Sequence, residues 1–285
     1  MAFGSKAGTL SGAVVAVTGG ARGIGRATAQ AFHQAGALVA VGDLDGPPAE
    51  EVAAGLGERA VSAALDVTDR ASFHDFLTLT ESRLGPVDIL VNNAGIMPLS
   101  DLVEEPEAVT RLIVDVNLHG VITGTKLVAP GMVRRGRGHV INVASAVGRI
   151  AVAGAATYSA SKYAVVGFSE AMRSELGRSG VHVSCVLPTV VATELSAGIG
   201  TVRGQKPVTA EDVATTIVEV AATPRPETWV PRRSRALFVA ASLLPHRLKD
   251  GVSRALGAHD VLYKPDRAAR QAYEQRTQGD LRPGA

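Results

Sequence analysis

Short apolar, β-branched runs alternate along this chain with longer stretches of helical period, and that alternation narrows the fold more than any other feature. The runs are AVVAVTG (13–19), ALVAVGD (37–43), AVSAALD (60–66), VDILVNN (87–93), HVINVAS (139–145) and VHVSCVLP (181–188), with ETWVP (227–231) a shorter candidate. Helices are expected near 24–35, 48–57, 69–84, 103–134 and 157–178. A further helix is expected at 207–223, with Thr209 as N-cap and Glu211 and Asp212 in its first turn. Each strand run is nearly all apolar rather than alternating, as strands buried on both faces of a parallel sheet are. The expectation is an α/β fold: one doubly wound parallel sheet of about seven strands with right-handed crossovers.

Charge divides the chain in two. Residues 225–285 carry 12 Lys+Arg against 6 Asp+Glu, while the whole 285-residue chain has a formal net charge of only +2. The main domain is assigned to 1–231 and a basic, helical C-terminal extension to 232–285. No basic run is interleaved with aromatics, so nucleic-acid binding finds no support. Cys185 is the only cysteine, which excludes an intrachain disulfide, and its place in VSCVLP reads as an inert core thiol. No signal pattern opens the chain, and no apolar stretch is read as reaching the ~18 residues of a membrane span. The chain reads as reduced, soluble and cytoplasmic.

TGGARGIG (18–25) follows the first strand and opens the first helix. Gly19 permits the tight turn, Gly23 lets backbone approach a pyrophosphate, and Gly25 allows close helix–strand packing. The helix N-terminus, at Gly23, Ile24 and Gly25, offers N–H groups to the phosphates. Asp43, at the end of the second strand, suits the adenosine ribose hydroxyls and repels a 2′-phosphate, whereas Arg22 would suit that phosphate. The carboxylate sits directly on the ribose and Arg22 has a long stem that can turn to solvent, so NAD is favoured over NADP. Asp43 as a mere loop cap is the alternative. Asp66 and Val67, ending the third strand, are placed for the adenine edge and face.

Four further features follow in order: NNAG (92–95), Asn117 in DVNLHG, Ser145 in NVASAVG, and YSASK (158–162). With TGGARGIG they resemble the short-chain dehydrogenase/reductase family over roughly residues 10–231, which implies a Rossmann-type sheet. Tyr158 and Lys162, four apart on a helix, share a face. A nearby ammonium and the positive nicotinamide ring would lower the phenol pKa, so Tyr158 exchanges a proton with an alcohol or ketone. Ser145 would steady charge on the substrate oxygen, and Lys162 would also reach the nicotinamide ribose. No metal is required. The resemblance implies that Asn117 holds a water relaying protons from Lys162. It also places Asn92 (by its backbone), Ala94 and Gly95 at the cofactor, with Pro188, Val191 and Thr193. Asn93 reads instead as a structural amide. Singly, each catalytic residue has a plainer reading: a surface pair for Tyr158 and Lys162, a cap for Ser145, a helix-bending amide for Asn117. Thr189 departs from the family's usual glycine and is expected to narrow the pocket.

The substrate end is assigned to Met97, Ser145, Val147, Ile150, Tyr158, Thr189 and Leu195, with Leu99, Ala151, Val152 and Ile199 nearby. Arg149 is expected to point to solvent. These side chains suggest an apolar secondary alcohol or ketone: steroid-, terpenoid-, retinoid- or fatty-acyl-like. The rivals are an NADP-dependent 3-oxoacyl or ketone reductase and a non-catalytic dinucleotide sensor or scaffold. The resemblance implies a homodimer or homotetramer. The extension is expected to cap the site, pack on a neighbouring subunit or touch an anionic membrane surface.

Overall fold

A computed structural model describes residues 10–200, 208–236, 240, 245, 262 and 266–278. Seven parallel strands form one sheet in the order β3-β2-β1-β4-β5-β6-β7. They are β1 (Val14–Thr18), β2 (Leu38–Asp43), β3 (Ala60–Ala64), β4 (Ile89–Asn92), β5 (Gly138–Val143), β6 (Val181–Pro188) and β7 (Glu227–Val230). The helices are α1 (Gly23–Gln34), α2 (Gly46–Leu56), α3 (Arg70–Leu84), α4 (Glu107–Val114), α5 (Gly120–Arg135), α6 (Ala156–Leu176), α7 (Ala210–Ala222) and α8 (Arg267–Gln278). Thr209 caps α7 in a reciprocal box with Asp212, as its sequence implies. Residues 1–9 and 201–207, and in the extension 237–239, 241–244, 246–261, 263–265 and 279–285, lie outside the described residues.

Alternate strand residues feed two cores. Val15 and Val17 of β1 pack with Phe32 of α1, Val52 of α2 and Val213 and Ile217 of α7. Ala16 of β1 packs on the opposite face with Phe73 and Phe76 of α3 and Val128 and Met132 of α5. The uniform burial of β1 and β4 follows from helices covering both faces. β3 departs from it: the strand is half-buried and Ala64 is exposed, because β3 is an edge paired on one side only.

The segment expected as one helix at 103–134 runs as α4, a π-helical turn at Asp115–His119, and α5. Contrary to the sequence reading, Glu107–Arg135 is long and apolar enough to cross a membrane by length and composition. Its Val, Leu, Ile and Met residues are spaced among Gly, Ala, Thr and polar residues rather than gathered in one continuous run. Val121, Val128 and Met132 are buried in the protein core.

Candidate active site

The strand order reverses between β1 and β4, and a crevice forms there outside the carboxyl ends of the strands. A cleft of about 1800 Å³ occupies it, running from Arg26, Asp43 and Asp66 past Gly19 to Tyr158 and on to Leu262 and Tyr273. The glycine turn forms its floor. Gly19 and Gly23 hold φ of +63° and +49°, a region that L side chains avoid. A Cβ on Gly25 would lie 1.9 Å from the Gly19 carbonyl oxygen, so Gly25 serves packing and does not itself line the cleft. The Asn93 amide donates to the Thr18 and Gly19 carbonyls at 2.9 and 3.0 Å, fixing the turn from β4. Arg22 is the N-cap of α1, and no side chain caps that helix. Gly23 and Ile24 border the cleft there. Uncapped first-turn N–H groups beside a glycine cradle fit a pyrophosphate.

At the end of the cleft beside β2, the Asp43 carboxylate accepts from the backbone N–H of Ala21 at 3.0 Å and of Asp45 at 3.1 Å. It thus braces the turn, as the loop-cap reading has it, and also borders the cleft. Arg22 is not turned freely to solvent. It forms an ion pair with Asp45 at 2.6 Å, which raises the guanidinium pKa further despite partial burial. Asp45 carries no motif that would have announced it. Asp66 and Val67 border the cleft, with the Asp66 carboxylate accepting from Thr68 N–H and hydroxyl. Asn92 does not border it. Its side chain is buried and donates to Asn142 at 2.9 Å, because odd and even residues of a strand face opposite sides. Asn93 borders the cleft instead, with Ala94 and Gly95. Pro188, Thr189, Val191 and Thr193 also border it. A Cβ at Gly23 would stand 3.2 Å from the Thr193 methyl, so that loop closes over the turn.

Ser145, Tyr158 and Lys162 meet at the centre of the cleft. Ser145 caps a short 3-10 turn after β5, accepting from Val147 N–H at 3.3 Å. Tyr158 and Lys162 project from α6, both buried. The Lys162 Nζ donates to the Val143 carbonyl at 3.1 Å and lies 5.8 Å from the Tyr158 ring centroid. Asn117 is buried in the π turn, which locally widens the helix. Its Oδ1 accepts from Ile96 N–H at 2.8 Å, and its Nδ2 donates to the Ile96 carbonyl and the Ser161 hydroxyl. A Cβ at Gly95 would stand 3.1 Å from Asn117 Oδ1 and 3.4 Å from Lys162 Nζ, so the two groups flank one point.

The protein's own electrostatics oppose the expected lowering at Tyr158, before any nicotinamide charge is added. Burial pushes the Tyr158 phenol above its ordinary value, and the hydrogen bond with Ser145 only partly opposes this. Burial also pulls Lys162 down to about 8. Desolvation outweighs the ammonium here because Lys162 is itself destabilised as a cation and stands off the phenol. Cys185 is buried and its thiol is pushed up to about 12 by burial, in keeping with an inert core residue. Among the described residues, no cluster of three His, Cys, Asp or Glu side chains is placed to hold a metal.

Beyond Tyr158, the cleft is lined by Met97, Val147, Ile150, Ala151, Val152, Thr189, Leu195 and Ile199. Leu99 packs behind them. The Thr189 hydroxyl donates to the Val230 carbonyl at 3.3 Å. Arg149, expected in solvent, instead joins Glu170 and Glu227. Leu262, Tyr273 and Arg276, from the extension, also line the cleft; no local pattern singled them out.

The profile of the short chain dehydrogenase family matches residues 13–203. The chain is 39% identical to the sorbitol dehydrogenase of Cereibacter sphaeroides over 67% of its own length and 75% of that protein. It is 31% identical to the estradiol 17-beta-dehydrogenase 11 of Macaca fascicularis, over 84% of this chain and 81% of that one. A 3-oxoacyl-[acyl-carrier-protein] reductase of Thermotoga maritima is 35% identical over 66% of this chain and 77% of its own length. Among solved structures, a short chain dehydrogenase/reductase from Burkholderia phymatum in complex with NAD superposes with a TM-score of 0.74 at 25% identity. That match covers 80% of this chain and 92% of the other. With this sheet order, this glycine turn and the meeting of Ser145, Tyr158 and Lys162 in one cleft, the chain belongs to the short-chain dehydrogenase/reductase family of oxidoreductases.

Proposed function

We propose that this protein is an NAD(H)-dependent dehydrogenase or reductase of a hydrophobic secondary alcohol or its ketone. The observation that carries this reading is one continuous cleft. A dinucleotide cradle and a Ser145–Tyr158–Lys162 cluster lie along it, and the wall beside Tyr158 is mainly apolar: Met97, Val147, Ile150, Val152, Leu195 and Leu262. A polyol such as the Cereibacter relative's name indicates would leave its hydroxyls unpaired on that wall. An apolar body of the kind named for the macaque relative would not.

The nicotinamide cofactor, when bound, supplies the hydride acceptor or donor and, in its oxidised form, a positive charge near the phenol. Glycine-turn N–H groups would hold its pyrophosphate and Asp43 its adenosine ribose. Ser145 would orient the substrate oxygen and donate to charge developing on it. Tyr158 would take the alcohol proton, or return it in ketone reduction. Lys162, held by the Val143 carbonyl, would orient the nicotinamide ribose and, beside Asn117, pass protons onward. NAD is favoured over NADP because Asp43 would face a 2′-phosphate with like charge and Asp45 already engages Arg22. A sensor role would not require this catalytic set. The test is a screen of apolar secondary alcohols with NAD and NADP, following reduced nicotinamide. Tyr158→Phe is expected to lower turnover by about 10²- to 10⁴-fold; unchanged turnover of every accepted alcohol would overturn the mechanism. We further propose a cytoplasmic homodimer or homotetramer that takes a small molecule rather than a nucleic acid, the resemblance and the charge pattern being the grounds.

A further inference from the structure

The far wall of the substrate end comes from the other end of the chain. Leu262 is buried against Met97, Ala155 and Tyr158. α8 lies over the loop at 194–199, where Asp266 N–H donates to the Gly198 carbonyl at 2.8 Å. Gly198 holds φ of +69°, and a Cβ there would meet the Asp266 carbonyl oxygen at 2.4 Å. The Arg270 guanidinium has no solvent exposure. It donates to the carbonyls of Leu195, Ala197 and Met97 at 3.1, 3.0 and 2.7 Å, and to Glu274 at 3.1 Å. At the rim, Arg276 pairs with Glu194 at 2.6 Å. A buried cation satisfied by three carbonyls from two other loops is a latch, since removing it strands all three acceptors.

That latch sets Tyr273 in place. The ring is flanked by the guanidinium carbons of Arg270 and Arg276, 5.1 and 5.9 Å from its centroid. Its hydroxyl oxygen accepts from the Met97 N–H at 2.7 Å. The phenol proton has no acceptor among the hydrogen bonds of the described residues. Burial pushes this phenol up to about 12, so the proton stays on at neutral pH. The cleft lining includes the apolar Met97, Val147, Leu195, Ile199 and Leu262, with Arg276, Thr277 and Glu194 also lining it. Tyr273 and Tyr158 are close enough to interact electrostatically. A buried donor on a cleft-lining residue, with no acceptor among the described residues, matches an acceptor carried by the ligand.

We propose that Tyr273 is a specificity-determining residue: its O–H donates to a second oxygen of the substrate, remote from the carbon that exchanges hydride. The substrate class is then an apolar molecule with two oxygen functions, one beside Tyr158 and one beside Tyr273. Arg270 is the positioning residue that holds this arrangement. The inference rests on the dehydrogenase reading above.

The test uses matched alcohols on the full chain with NAD. One pair is a long-chain secondary alcohol and its derivative bearing a ketone at the opposite end. The other is a rigid saturated tetracyclic alcohol with and without a distal ketone. Wild-type enzyme should prefer the ketone-bearing member of at least one pair. Tyr273→Phe should raise KM for that member about tenfold more than for the simple alcohol, the worth of one hydrogen bond, with kcat falling equally for both; any shift common to both members reports the Met97 N–H left unpaired. Arg270→Met should raise KM for both members and erase the preference. NADH fluorescence titration should be unchanged in both variants, showing an intact cofactor site. Equal effects of Tyr273→Phe on both members, no effect on either, or loss of NADH binding would each overturn the proposal. Turnover without discrimination overturns it while leaving the dehydrogenase reading intact. Absence of turnover with every probe overturns both.

Discussion

Asp45 decides whether Arg22 is available to a 2′-phosphate. Both side chains of the pair are more than a third exposed, so the ion pair contributes only about 0.2–1 kcal/mol to stability, and Asp45→Asn should fold normally. Its effect on cofactor choice is larger. A carboxylate about 5 Å from a phosphate costs roughly 1–3 kcal/mol per charge pair at effective dielectric constants near a protein surface. Asp43→Asn removes that repulsion and keeps one oxygen to accept from Ala21 N–H. NADPH binding relative to NADH should improve about 10- to 100-fold. Arg22 would still be engaged by Asp45. Releasing it in Asp43→Asn/Asp45→Asn adds a charge-assisted hydrogen bond of about 1.5–3 kcal/mol, a further improvement of at least about tenfold. Fluorescence titration of NADH and NADPH at moderate salt reads both steps, while Asp45→Asn alone should leave NADH affinity nearly unchanged. If Asp43→Asn gave the whole switch and the second change added nothing, Asp45 would not be restraining Arg22. If neither step moved the ratio, the adenosine end would be misplaced.

Other consequences follow from the same packing. Gly25→Ala should abolish dinucleotide binding while leaving most of the chain folded, because its Cβ would overlap the Gly19 carbonyl; calorimetric titration with NADH checks this. His139 is buried in β5 with its ring bonded to the Ser184 hydroxyl. Burial and neighbouring His182 hold its pKa down at about 3. A group with a depressed folded pKa contributes stability that is present above its unfolded value near 6.5 and lost as pH falls toward 3. Between pH 7.5 and 5 this should cost about 2 kcal/mol, read as a shift in the urea midpoint; a His139→Asn variant should show a correspondingly flatter profile, and an equal slope would refute it. Lys162→Met should weaken NADH binding and turnover together if the side chain serves both ribose and proton path as proposed, whereas a loss of turnover alone would remove it from the ribose.

The apolar, β-branched runs determined the sheet and its parallel, twice-covered character, because strand period and burial are written locally. The glycines of TGGARGIG determined a turn that only glycine can occupy, and the spacing of Tyr158 and Lys162 determined a shared helix face. Ser145 and Asn117 were legible only because ordered motifs accompany them. The direction in which Asn92 and Asn93 face became definite with the register of β4. Local patterns said nothing of Asp45 on Arg22, of Arg149 between Glu170 and Glu227, or of desolvation overriding the ammonium at Tyr158. The far wall of the cleft was beyond them altogether: Tyr273 meets Met97 across 176 residues. Helical period places a residue on a face of its own helix, but which distant backbone that face will cover is decided only when the chain closes and buried donors find their acceptors.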